Sequence, residues 1–271
     1  MSDAFDLPAY FRRIGFAGRA KPDLATLSAI NALHVSAIPF ENLDPLLGRT
    51  PALDLPALEA KLVGRRRGGY CFEQNAVFGA ALRAIGFAVT PLSARVRWVS
   101  GMDAPMTPAT HMLLKVDLAE GPHIVDVGFG IHLQDAPLRL EIGAEQITPA
   151  GVYRLREIDG LTALEMHQAG AWRTGFLFNL TPAYPADYAM ANWYTSTSPL
   201  SRFPKMLSAE RVANGVRFNL VNRRLTERAR GAADIVWAIS SAEELGEILD
   251  RTFNLACPAP LADLWARIPE E

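Results

Sequence analysis

The sequence predicts an α+β protein built in three consecutive parts, and three observations lead to that prediction. Apolar residues recur at helical spacing through residues 1–86, which indicates an N-terminal helical bundle. Apolar and polar residues alternate between tight turns in residues 87–184, which is typical of a small antiparallel β-barrel. Residues 185–271 mix a connecting helix, a hairpin and further helices, so we expect an α/β lid over a cleft.

The composition is that of a globular enzyme and argues against several other classes of protein. The 271 residues include 49% hydrophobic and 21% charged ones, with a formal net charge of −2. This charge gives no reason to expect nucleic acid or an acidic membrane surface as a partner. No apolar run approaches the length of a membrane span, and the acidic residues 1–6 lack a signal-peptide core. We therefore expect a cytoplasmic protein, and its oligomeric state stays open.

Four helices are predicted in the N-terminal part. Asp6, Asp23 and Asp54 each precede an apolar periodic run and can accept the first free N–H groups of a helix. The fourth helix is expected to begin near Cys71 and to end at Gly86, because apolar residues recur at helical spacing between them.

The chemistry of the chain centres on Cys71, which follows a loop with two glycines and precedes the fourth helix. A thiol in the first turn of a helix meets unpaired N–H groups and the positive end of the helix dipole, which favour a thiolate. Gly68 and Gly69 carry no side chains, so we expect a substrate to approach the backbone there. Taken alone, Cys71 would more often be a buried structural cysteine.

A thiolate nucleophile needs a base, and the base needs an acceptor that orients it. His111 opens a predicted strand, and Asp126 lies on the next strand after a turn. A hairpin of this size can bring the two side chains within hydrogen-bond distance. A helix that carries Cys71 across these strands would complete a cysteine-protease-like Cys–His–Asp site.

The other histidines are expected to carry no chemistry. His34 is predicted at the edge of the apolar face of its helix, in a structural role. The remaining three fall in loops or at strand ends: His123, His132 and His167.

These segments resemble the arylamine N-acetyltransferase family. Matching segments occur in the family's order along the chain: Ile38-Pro39-Phe40-Glu41-Asn42-Leu43, Arg67-Gly68-Gly69-Tyr70-Cys71-Phe72-Glu73, Thr110-His111, Asp126-Val127-Gly128-Phe129-Gly130, and residues 192–199 followed by Phe203. The intervals fit as well, with 40 residues from Cys71 to His111 and 15 from His111 to Asp126. The resemblance runs from about Tyr10 to about Phe203 and is specific, because several motifs occur together.

The resemblance implies an apolar, aromatic pocket for the amine acceptor, lined by Phe40, Phe129 and Phe203. It also implies that Glu41 pairs with an arginine near the cysteine, for which Arg67 is the candidate. Without the resemblance, Glu41 would be a solvated carboxylate and Arg67 part of a solvated basic run. An inward Arg67 must be paired, because burial of an isolated charge is prohibitively costly.

Coenzyme A is the second small molecule that the resemblance implies, with acetyl-coenzyme A as the acetyl donor. Its expected contacts are Trp98, Thr110, Gly128 and Gly130. The backbone N–H groups of residues 128–130 can form a concavity for the pyrophosphate, although no P-loop lysine follows them. Many family members carry a proline soon after this loop and this chain does not, which leaves the contacts there open. No Cys/His cluster has metal-ligand spacing, so we expect no metal.

The remaining patterns predict the rest of the barrel and of the lid. Two dipeptides are predicted to form the turns of β-hairpins: Asp159-Gly160 and Asn214-Gly215. Helices are expected over residues 185–195, 241–253 and 261–268. Cys257 lacks an activating pattern, and we expect an inert thiol.

Together the residues and the resemblance predict acetyl transfer by a ping-pong mechanism through an acetyl-Cys71 intermediate. His111 is the expected base and Asp126 the residue that orients it. The expected acceptors are arylamines, arylhydrazines and hydrazides. Three alternatives stay open: an amide synthase of the same family that acts on a carrier-bound polyketide, a Cys–His–Asp thiol hydrolase, and a catalytically silent binding protein.

Overall fold

The computed structural model describes residues 5–270 and has the predicted α+β class. The acidic start that we interpreted as lacking a signal-peptide core falls largely on residues 1–4, outside this range. The helices are α1 (Leu7–Ile14), α2 (Leu24–Ala37), α3 (Leu43–Leu46), α4 (Leu55–Leu58), α5 (Cys71–Ile85), α6 (Pro185–Thr197), α7 (Ala242–Glu247) and α8 (Leu261–Trp265). None of these helices is long and apolar enough to cross a membrane.

The predicted helix starts in the N-terminal part are confirmed. The carboxylates of Asp6, Asp23 and Asp54 each accept a backbone N–H three residues further on, as N-cap residues do. Helix α5 starts at Cys71 and ends at Ile85, and Gly86 caps it with a φ of 106° that a side chain would strain. The structure adds α3, and π-helical turns follow α4 and α7.

The predicted barrel is confirmed as an antiparallel sheet of eight strands that is nearly closed. The strands are β2 (Ala88–Val96), β3 (Ala109–Leu118), β4 (Gly121–Val125), β5 (Leu138–Arg139), β6 (Glu145–Ile147), β7 (Val152–Ile158), β8 (Leu161–Gln168) and β9 (Ala171–Pro182). Their spatial order is β5-β4-β3-β2-β9-β8-β7-β6. The sequence reading missed β5 and β6, because two or three residues are too few to show alternation.

A second sheet joins the N-terminal helical part of the chain to the C-terminal part. It holds β1 (Phe40–Glu41), β10 (Ser208–Ala213), β11 (Val216–Val221), β12 (Arg224–Ala229) and β13 (Ile235–Ala238), in that order. The hairpin at Asn214-Gly215 is present, but β1, β12 and β13 were not predicted. Because β1 pairs with β10, this sheet combines residues of the predicted N-terminal part with residues after the predicted boundary at residue 184. The division into three parts stays a prediction.

Strand β3 places the candidate site between the helices and the barrel. Its residues Met112, Leu114 and Val116 face the helices, where they share a core with Phe78 of α5. Leu113, on the opposite face, points into the barrel core. The strand thus connects the helix that carries Cys71 to the barrel interior.

Candidate active site

Cys71 is the first residue of α5 and is 5% exposed. Its thiol lies 3.8 Å from the carbonyl oxygen of Thr110 in β3. The carboxylate of Glu73 accepts the N–H of Tyr70 at 3.2 Å and so caps the helix just before the cysteine. The N–H of Cys71 belongs to the first turn and has no intrahelical acceptor.

The two glycines before Cys71 serve packing, and our interpretation that they admit a substrate is wrong. A side chain at Gly68 would place its Cβ 2.0 Å from the carbonyl oxygen of Pro39. A side chain at Gly69 would place it 2.6 Å from the carboxylate of Glu73. Both positions therefore require glycine because the chain itself approaches the backbone there.

His111 and Asp126 form a buried pair beside the cysteine. The Nε2 atom of His111 lies 2.5 Å from Oδ2 of Asp126, and the two side chains are 3% and 0% exposed. Burial lowers the pKa of His111, but Asp126 and then Cys71 outweigh this effect and raise it to about 10. Because Nε2 faces Asp126, Nδ1 is the ring nitrogen left for the proton exchange with a cysteine, and Cys71 is the nearby thiol that adds to the raised pKa of His111.

Asp126 is held by donors on its other oxygen. The Oδ1 atom accepts the side-chain N–H of Asn75 and the backbone N–H of Gly128, each at 2.9 Å. The sequence reading missed Asn75, although it lies four residues after Cys71 and so on the same face of α5.

Aromatic side chains of the region form two groups, one packed against the ring of His111 and one that contains Phe40 and Phe203. The rings of Phe129 and Phe176 lie 5.2 and 4.9 Å from the His111 ring. Phe40 and Phe203 contact each other, with ring centroids 6.2 Å apart. A side chain on Gly130 would place its Cβ 2.2 Å from the Phe40 ring, so the loop and Phe40 pack tightly together.

A buried charge network lies behind the start of α5. Arg67 is 2.7 Å from Glu41 and 3.1 Å from Asp44, and Lys61 is 2.5 Å from Asp44 and 2.7 Å from Glu73. Arg67 therefore does turn inward and is paired, as burial requires. Burial raises the pKa of Glu73 to about 7. The positive charge of Lys61 offsets this rise only in part, and the negative charge of Glu41 adds to it.

The residues expected to contact coenzyme A lie in different surroundings. Residues 128–130 are buried, and the Gly128 N–H already donates to Asp126, so it adds nothing to the predicted pyrophosphate concavity. Trp98 packs against His132 and carries the guanidinium of Arg173 over its ring at 4.2 Å. Thr110 lines a cleft of about 530 Å³ between the barrel and α6.

The other titratable candidates lie apart from this group. His34 is fully buried and, contrary to the prediction, does not lie at the edge of the apolar face of its helix. Tyr10 and Gln74 make hydrogen bonds with its two ring nitrogens at 2.8 and 2.7 Å. Burial lowers its pKa to about 4. His132 contacts Tyr153 and Arg217, and Cys257 is half-buried. Within residues 5–270, no group of three or more His, Cys, Asp or Glu could hold a metal ion.

Comparison with known proteins identifies the family. The sequence profile of the N-acetyltransferase family matches residues 23–262. The arylamine N-acetyltransferase of Mycolicibacterium smegmatis is 43% identical over 252 residues, which cover 92% of this chain and 91% of that protein. The chain belongs to the arylamine N-acetyltransferase family. It is therefore an acyltransferase, and the predicted resemblance is confirmed.

Solved structures of the family have the same fold. The Mycobacterium marinum arylamine N-acetyltransferase superimposes with a TM-score of 0.93 at 37% identity, covering 97% of this chain and 98% of that one. A structure of the M. marinum enzyme in complex with CoA gives 0.92 with the same identity and coverage. The arylamine N-acetyltransferase of Escherichia coli K12 is 38% identical over 91% of this chain and 87% of its own length.

Proposed function

We propose that this enzyme transfers an acetyl group from acetyl-coenzyme A to arylamines, arylhydrazines and hydrazides through an acetyl-Cys71 intermediate. The observation that carries the proposal is the buried group of Cys71, His111 and Asp126 on α5, β3 and the loop after β4. Relatives in the family are arylamine N-acetyltransferases, and one of them forms a complex with CoA, which supports coenzyme A as the carrier and arylamines as acceptors. We further propose a cytoplasmic enzyme, since both cysteines are unpaired.

In the first half-reaction, His111 holds the proton of Cys71, and the thiolate sulfur attacks the thioester carbon. The N–H of Cys71 stabilises the negative oxygen that forms. The bond from this carbon to the coenzyme A sulfur then breaks, and His111 returns its proton to that sulfur. Asp126 stabilises the imidazolium throughout and fixes the ring so that Nδ1 faces the cysteine.

In the second half-reaction, the amine nitrogen attacks the acetyl-Cys71 carbonyl, and His111 accepts the proton that the amine releases. Collapse of the tetrahedral intermediate regenerates the Cys71 thiolate and releases the amide. An aromatic amine is a weak base and is neutral near pH 7, so it needs no separate deprotonation before attack. Phe40, Phe129 and Phe203 form the apolar wall that favours an aromatic acceptor.

For coenzyme A we propose contacts with Trp98 and Thr110, with Gly128 and Gly130 as adjacent backbone. Thr110 lies beside the Cys71 thiol and also lines an open cleft, so it can meet a thioester on its way to the sulfur. At Trp98, the guanidinium of Arg173 over the ring supplies a positive charge that a phosphate of coenzyme A can meet. Gly128 and Gly130 are expected to act through close packing, since neither tolerates a side chain.

A panel of acyl-coenzyme A donors against aryl amines and hydrazides, with release of coenzyme A as the readout, tests the proposal. We expect release from acetyl-coenzyme A to depend on the acceptor, with parallel lines in double-reciprocal plots, as a ping-pong mechanism requires. Equal release without any amine would instead indicate the hydrolase. Turnover confined to bulky carrier-bound acyl groups would indicate the amide synthase.

A further inference from the structure

Asn75 contacts every chain segment that carries a member of the candidate triad. It lies on α5, four residues after Cys71. Its Nδ2 atom donates to the carbonyl of Met112 in β3 at 2.7 Å and to Oδ1 of Asp126 at 2.9 Å. Its Oδ1 atom accepts the backbone N–H of Val127 at 3.2 Å. One side chain therefore ties the cysteine helix, the histidine strand and the aspartate loop together.

The Asn75 amide can adopt only one orientation. The side chain is fully buried, and both its N–H donors and its oxygen are used. Rotating the amide by 180° would point its NH2 group at the Val127 N–H and its oxygen at the Met112 carbonyl and the Asp126 carboxylate. A buried amide in that position would lose all three hydrogen bonds at once.

This arrangement fixes the carboxylate that orients His111. One oxygen of Asp126 faces His111, and the other receives only Asn75 and Gly128 as hydrogen-bond donors among the described residues. Hydrogen bonds to an ionised carboxylate are stronger than those between neutral groups. Loss of the Asn75 donor would therefore free the carboxylate to rotate and weaken its hold on the imidazolium.

We propose that Asn75 is a positioning residue that keeps Asp126, and through it His111, in register with Cys71. The inference rests on the proposed function, since it assigns Asn75 a part in activating the same thiol. The residue acts through Asp126 and not on the substrate, so its effect should appear in thiol activation and in kcat, with little change in the KM for the amine.

The test compares Asn75→Ala with the wild type by the rate of Cys71 alkylation with iodoacetamide as a function of pH. We expect the rise of the alkylation rate to move to higher pH and kcat to fall about 10- to 100-fold, the range for loss of a hydrogen bond to a charged group. The KM for the amine should change less than about threefold. Asn75→Asp preserves the side-chain volume but places a second carboxylate against Asp126. It should therefore slow alkylation at pH 7 at least as much as Asn75→Ala does.

Asn42→Ala is the matched control, because Asn42 is also fully buried and also makes three hydrogen bonds, to Phe203, Met206 and Ser208. It should lose stability yet keep the wild-type pH dependence of alkylation. A double-mutant cycle adds a second criterion: in an Asp126→Asn background, Asn75→Ala should slow alkylation less than about threefold.

An unchanged pH dependence in both Asn75 variants, or full additivity in the cycle, would overturn the proposal and leave Asn75 with a role in stability alone. Alkylation reports on the thiol without any acetyl transfer. Failure of the proposed function would appear separately, as wild-type protein that releases no coenzyme A in the presence of an amine.

Discussion

Replacement of Arg67 by methionine tests whether the buried charge network stabilises the region behind the helix that carries Cys71. Arg67→Met leaves the carboxylate of Glu41, which is fully buried, without its partner at 2.7 Å. Lys61 still neutralises Asp44 at 2.5 Å, so the main loss falls on Glu41. Removal of one member of a buried ion pair costs about 3–5 kcal/mol, and we expect a loss of that size in the free energy of unfolding.

Urea denaturation followed by circular dichroism at pH 7 measures this loss. The double variant Glu41→Gln/Arg67→Met should recover part of it, because the uncompensated charge is gone. Arg228→Met is the control: its pair with Asp234 is exposed by 30% and 41%, so its loss should be at most about 1 kcal/mol. A loss for Arg67→Met no larger than this control would refute the reasoning and indicate that Glu41 is hydrated.

Three further outcomes are expected. Asp126→Asn should lower kcat by about 10⁴-fold with the fold intact, because the amide favours the wrong imidazole tautomer; a few-fold loss in steady-state kinetics would show that another group orients His111. His34 has a pKa of about 4 in the folded protein and about 6.5 when unfolded, so the unfolded state alone takes up its proton between these values. Stability should therefore fall by about 3 kcal/mol as the pH drops through this range, and denaturation of His34→Gln should show a shallower fall. Gly68→Ala should disrupt the loop before the cysteine and lower both melting temperature and activity. Gly64→Ala should leave activity unchanged, because its Cβ would lie 3.8 Å from the Glu59 carbonyl oxygen, an ordinary contact distance.

Local sequence patterns were sufficient to predict where Cys71 and His111 lie in the fold, and they placed Asp126 within one residue of its strand. Cys71 was placed at a helix start because the periodic pattern begins there, and α5 does start there. His111 and Asp126 were expected to lie close together because a single short turn separates strands β3 and β4, and the structure brings their side chains to 2.5 Å, although Asp126 lies just after β4 and not on the strand as predicted. Both inferences depend on contacts between residues that are close in sequence, where turn and helix signals are strong.

Contacts between distant residues explain what the sequence could not show. Strand β1 is two residues long and exists because it pairs with β10, about 170 positions away. Glycine is needed at position 68 because of the carbonyl of Pro39, and the role that we propose for Asn75 rests on its hydrogen bond to Asp126, which lies 51 residues away. The burial of His34 could not be predicted from its own helix, because its hydrogen-bond partners, Tyr10 and Gln74, lie on other helices.

The most direct measurement is the mass of the protein after incubation with acetyl-coenzyme A and no amine. The proposed mechanism predicts a gain of one acetyl group, located on Cys71 by peptide mapping and lost when an arylamine is added. Cys257, which is also unpaired, serves as the internal control and should stay unmodified. No adduct, or an adduct on another residue with transfer still active, would contradict the acetyl-Cys71 intermediate.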